Sequence, residues 1–75
     1  MKEIDLKKSV YDLTEDYPQL IPILKDLGFL GVANPVIRKT LGKATTIPQG
    51  CKKQGKDLKG VIERLEKEGF RVITD

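Results

Sequence analysis

Acidic residues are the first candidates for acid/base chemistry, and they come in groups: Glu15 beside Asp16, then Glu63, Glu66 and Glu68. Two carboxyl groups divide into an acid and a base only when burial or close approach drives their pKa values apart. Both groups fall on the polar faces of predicted helices, where water keeps carboxylates ordinary, so they read as solvated charge. The chain has no histidine, which removes the commonest general base and the commonest metal ligand at neutral pH. Cys51 is its one cysteine, so neither an internal disulfide nor a Cys-x-x-Cys redox or zinc site can form within one copy. Lys52 and Lys53 would favour a Cys51 thiolate if both pointed at it. A lone cysteine without a histidine partner reads better as a small buried hydrophobe. The glycines match neither the dinucleotide nor the P-loop fingerprint. These residues predict a chain that is not an enzyme and that holds no metal or cofactor.

The cations carry more information. From Arg38 to Lys59 there are seven basic residues against one acid, Asp57, while the flanking segments are net acidic. Asn34-Pro35 opens this stretch with a capping side chain and a proline at the first helical position, and Arg38 and Lys39 follow one turn later. A helix start with free N–H groups attracts anions, although capping alone also explains Asn34 and Pro35. The segment could equally be a phosphate footprint. Against that, it has no aromatic residue to stack on bases, and the connection Lys43 to Ile47 is longer than a helix-turn-helix allows. We therefore take Asn34, Arg38, Lys39, Thr40 and Lys43 as a surface for a protein partner or small anion. Nucleic-acid binding through Arg38 to Lys59 is kept as the alternative.

The elements that must position these residues are short. Glu3 to Leu6 alternates as a half-buried strand would. Ser9 with Asp12 has capping-box spacing and opens a helix that ends near Tyr17, before Pro18. A second helix spans Gln19 to Leu27, apolar around most of its circumference, and Gly28 ends it. After a small apolar loop, a third helix runs from Pro35 to about Leu41 and stops at Gly42. Thr46 with Gln49 caps a fourth, Pro48 to Gln54, which Gly50 weakens and Gly55 ends. Asp57 caps a fifth, Leu58 to Lys67, with Leu58, Val61, Ile62 and Leu65 in one apolar stripe. Phe70 to Ile73 alternates again and is placed to pair with the Ile4 strand, which would bring the termini close together.

Seventy-five residues allow a single core and no second domain. The predicted class is mainly α: a compact array of four to five short helices, with a small two-stranded ribbon formed by the termini. Helices two and five would supply its core. The charged N-terminus and the lack of a long apolar run predict neither a signal peptide nor a membrane span, and the absence of disulfides fits the cytoplasm. Exposed strand edges leave homodimerisation open.

The whole pattern is familiar. Ile4-Asp5-Leu6, Val10 to Tyr17-Pro18, Leu24 to Gly28-Phe29, Ala33-Asn34-Pro35, Lys39-Thr40, Gly42-Lys43, Gln49-Gly50, Asp57-Leu58 and Glu68-Gly69-Phe70 carry the likeness. Over nearly its full length the chain resembles a short helical family of unknown function that occurs alone in bacteria and also precedes hemerythrin-like and PAS-type sensor domains. More distantly it is similar to the N-terminal domain of ScdA-type iron–sulfur repair proteins and to the hybrid-cluster-protein-associated redox disulfide domain. Those relatives carry cysteines after the second helix. Here Phe29 to Pro35 has none, and Cys51 lies elsewhere, so their redox chemistry is not carried over. The resemblance implies a compact helical array acting as an accessory or interaction module in cytoplasmic redox, nitric-oxide or sensory settings.

Overall fold

The computed structural model describes residues 2–73. Capping decides where its helices begin. Ser9 Oγ accepts from the Asp12 N–H at 3.1 Å and starts α1, Val10–Asp16. Thr46 and Gln49 exchange both bonds of a capping box at the start of α4, Ile47–Gln54. Asp57 accepts from the Lys59 N–H at the start of α5, Leu58–Lys67. Between them lie α2, Leu20–Asp26, and α3, Pro35–Ala44, which follows a 3-10 turn over Leu30–Ala33. Pro18 precedes α2 and Pro35 opens α3, each where a missing N–H costs nothing. Gly28 takes a left-handed φ of 99°, and the Phe29 N–H reaches back to the Leu24 carbonyl at 2.9 Å, closing α2.

Several expected features come out differently. The third helix does not stop at Gly42 but runs through it to Ala44, so only Thr45 and Thr46 separate it from α4, and the connection expected to be too long for a helix-turn-helix is short. Gly42 is buried against α1, and a Cβ there would stand 3.4 Å from both the backbone N and the Cβ of Tyr11. This glycine is a contact point between helices rather than a helix end. The small apolar loop after α2 is a turn of 3-10 helix, which lets Val32 reach the core.

The terminal strands do pair. β1, Lys2–Asp5, and β2, Phe70–Ile73, form a parallel two-stranded sheet with Lys2 opposite Phe70 and Asp5 opposite Ile73. Parallel order sets the described ends, Lys2 and Ile73, at opposite ends of the sheet, so they share a ribbon without meeting. The Glu3 N–H, on the outer edge of β1, donates to the Tyr17 hydroxyl at 3.2 Å. That bond and the edge-to-face packing of Tyr17 on Phe70 cover part of the edge.

One core gathers side chains from every layer. Leu20 and Leu24 of α2 and Leu65 of α5 are fully buried, as the stripes of those helices demand, with Ile4, Leu13 and Ile47 beside them. Helices two and five thus share the interior with the sheet, α1 and α4. α3 stands apart. It packs chiefly on α1 and on the 3-10 turn, and Gly42 is its sole buried residue.

A candidate docking groove between the third and fourth helices

α3 packs chiefly on α1 and the 3-10 turn, and a groove of about 240 Å³ opens between α3 and α4. Its floor is apolar: Val10, Phe29 and Val32. Ile37 and Leu41 form the α3 wall, and Gly50, Lys53 and Gln54 form the opposite one. Phe29 reaches this position because Gly50 has no side chain; a Cβ on Gly50 would fall 2.5 Å from the ring. The groove is closed at one end where the Val10 N–H donates to the Thr45 carbonyl at 2.8 Å and Ser9 bridges to Thr46.

Among the described residues the large exposed apolar side chains all sit on α3: Val36 is 70% exposed, Leu41 64% and Ile37 38%. At 100° per residue, Ile37, Leu41 and Ala44 share the flank of α3 next to the groove, with Val36 and Thr40 on the crown. Lys39 and Lys43 lie on the far side of that crown. The apolar strip therefore has lysines on both sides, Lys39 and Lys43 on one and Lys53 of α4 on the other.

The five residues expected to form a surface divide into different roles. Asn34 Oδ1 accepts from the Val36 and Ile37 N–H groups at 2.9 and 3.3 Å, and Pro35 has no N–H. The free donors on which an anion site at this helix start would depend are thus occupied, and an anion would have to displace the Asn34 carboxamide. Thr40 turns its hydroxyl back onto the Val36 carbonyl at 2.9 Å. Arg38 is only 17% exposed in its side chain. Its Nη1 donates to Thr14 Oγ1 at 2.9 Å and to Glu15 Oε2 at 3.2 Å, and the guanidinium lies 5.0 Å from the Tyr11 ring centroid. Arg38 therefore fastens α3 to α1. Lys43 Nζ also stands over the Tyr11 ring, at 5.0 Å. Among the described residues, Lys39, Lys43, Lys52 and Lys53 make no ion pair.

Sequence reasoning missed Val36, Ile37, Leu41 and Phe29 as members of this surface. A signal existed: a helix with one buried residue and three large aliphatics has apolar area left over. Reading it required knowing that Gly42 faces inward.

Among the described residues no three His, Cys, Asp or Glu side chains gather closely enough to hold a metal ion. Cys51 is buried in the core, and that burial pushes its thiol pKa up, with the Lys56 ammonium pulling the other way. Lys52 and Lys53, its sequence neighbours, lie exposed on the helix surface. Among the described residues no helix is long and apolar enough to cross a membrane.

Comparison with known proteins agrees with this fold. The solved structure of a conserved domain protein from Streptococcus pneumoniae TIGR4 is 33% identical and superposes with a TM-score of 0.95, covering 100% of this chain and 96% of that one. No curated protein matches. The family described as a domain of unknown function, DUF1858, matches residues 4–62, and the chain belongs to that family.

Proposed function

We propose that this chain is a non-enzymatic accessory module that docks a protein partner on the α3 face, regulatory in a cytoplasmic redox or sensory setting. The observation that carries the reading is the uncovered apolar strip Val36, Ile37 and Leu41 standing beside an apolar groove. Monomeric proteins leave few such contiguous patches exposed without a use. The setting rests on the resemblance drawn from the sequence, which implies a place beside hemerythrin-like or PAS-type sensor domains and, more distantly, iron–sulfur repair proteins. The cysteines of those distant relatives are missing between Phe29 and Pro35, so the role left for this chain is recognition.

Affinity capture from the native cell with wild-type protein, Leu41→Glu and the distal control Glu63→Lys tests this. Leu41→Glu should lose the captured partner while Glu63→Lys keeps it. Identical capture by all three proteins would end the docking reading. A sensor or iron–sulfur repair protein among the lost partners supports the proposed setting, and a partner unrelated to either removes it.

Nucleic-acid binding is favoured by one specific feature: between Asp26 and Asp57 the chain has six basic residues and no acidic one. Phosphate-driven binding must weaken steeply with salt. A gel-shift titration at low and moderate salt that showed tight, steeply salt-dependent binding, unaffected by Leu41→Glu, would favour it over docking.

A further inference from the structure

The groove also constrains what kind of partner fits. It is concave and apolar at its floor, Lys53 stands in its lining, Lys39 and Lys43 follow the far edge of the exposed strip on α3, none of these lysines is ion-paired among the described residues, and both its walls are helices. Helix backbones have spent their N–H and C=O groups internally, so a strand cannot add to either wall and recognition must go through side chains. Five of the six cations between Asp26 and Asp57, a stretch without an anion, fall on α3 and α4, and among the described residues only Arg38 of these five is ion-paired, with Glu15. A complementary partner carries carboxylates beside apolar side chains.

We propose that the groove takes an acidic amphipathic helix of a partner protein, with apolar side chains seated between α3 and α4 and carboxylates facing the lysines on both borders. This rests on the docking reading and adds the chemistry of the partner. The length of α3, ten residues, matches two to three turns of such a helix. A second copy of this chain does not fit. Among the described residues every large exposed apolar side chain is already on α3, so they offer no second apolar face for a copy to insert, and α3 against α3 would set lysines against lysines. A phosphate backbone would satisfy the lysines but leave Val36, Ile37 and Leu41 wet, and the groove's aromatic ring, Phe29, is buried beneath them. A flat lipid surface would touch the crown of α3 without filling the concave floor.

The probe is a designed helical peptide of about 15 residues with leucines along one face and glutamates on both flanks. One control replaces the glutamates by lysines, and another replaces the leucines by serines. Fluorescence anisotropy should show binding of the leucine–glutamate peptide, and both controls should bind at least about tenfold more weakly. Leu41→Glu should weaken the leucine–glutamate peptide about tenfold. The double variant Lys39→Glu/Lys53→Glu should lose that peptide and gain the leucine–lysine one, a swap that a misfolded variant could not produce. Equal binding of the two leucine peptides, failure of all peptides, or tighter binding to acidic phospholipid vesicles or an RNA oligonucleotide would each overturn the proposal. If the peptides fail while Leu41→Glu still abolishes capture of a cellular partner, docking stands and the acidic-helix chemistry falls. If Leu41→Glu is silent in both assays, both readings fall.

Discussion

The Arg38 guanidinium is held from three sides, by Thr14, Glu15 and the Tyr11 ring, and Glu15 in turn accepts from the Tyr11 hydroxyl at 3.3 Å. Thr14 is buried, and its hydroxyl donates back to its own helix, to the Val10 carbonyl at 2.9 Å and the Tyr11 carbonyl at 3.0 Å, while accepting from Arg38. Arg38→Ala should therefore cost about 1–2 kcal/mol through lost packing and a charge-assisted bond. Glu15→Ala, which removes a partner that is half exposed, should cost less than about 0.5 kcal/mol. A urea double-mutant cycle with Thr14→Val checks the assignment, and additive effects would remove it. Cys51 makes the second prediction at this scale. A thiol whose pKa is higher in the fold keeps its proton there while the unfolded chain releases it. Its stabilisation is complete below the ordinary thiol pKa and is lost as pH rises from there through the raised value in the fold. Wild-type protein should lose more stability than Cys51→Ala between about pH 7 and pH 10, and native alkylation should run at least about a hundredfold slower than in denaturant. Of the expected surface residues, Arg38 is the one whose structural duty the sequence hid: its partners Thr14 and Glu15 lie more than twenty residues away, and no local spacing announces them.

At the scale of elements, two glycines in helices behave oppositely. Gly50 admits the Phe29 ring, whereas Gly60 in α5 has nothing within 4 Å of its missing Cβ. Alanine in place of glycine inside a helix is worth up to about 1 kcal/mol, so Gly60→Ala should raise Tm. Gly50→Ala gains the same propensity but must push a buried ring aside, an overpacking cost of about 1–3 kcal/mol, so its Tm should fall. Thermal unfolding of the two variants side by side measures the contrast, and two rises would contradict the close approach at Gly50. Reading Gly50 as a weak point of α4 was sound as propensity but overlooked what the bare backbone allows. Local signals did define α5, where Asp57, one apolar stripe and Gly69 agree, and α4, where Thr46 and Gln49 form the capping box their spacing required. They failed at Gly42, because a glycine pressed against another helix and a glycine ending a helix look alike in one dimension. The sense of the β1–β2 pair was equally hidden, since alternation specifies a strand and not its neighbour's direction.

Across the whole molecule, charge and apolar exposure coincide. The chain carries a formal net charge of +3, yet the segment from Asp26 to Asp57 holds six cations without an acid, and the remainder is net acidic. Most of that basic segment builds α3 and α4, the two walls of the groove. A single core holds the rest of the fold, leaving α3 attached by Gly42, Arg38 and the 3-10 turn, with its aliphatic strip facing out. A helix so placed contributes little to the interior and a great deal to the surface. The charge localisation was legible in the sequence, and so was the helix that bears it. The groove was not, because it is made by α3 packing chiefly on α1 and the 3-10 turn, a property of packing that no single segment encodes. The most direct test of a docking face is cross-linking in the native cell from a photoreactive amino acid placed at position 41, a site already exposed. The expected result is a covalent adduct with a different polypeptide. Adducts only with nucleic acid or with another copy of this chain, or none at all, would contradict the account.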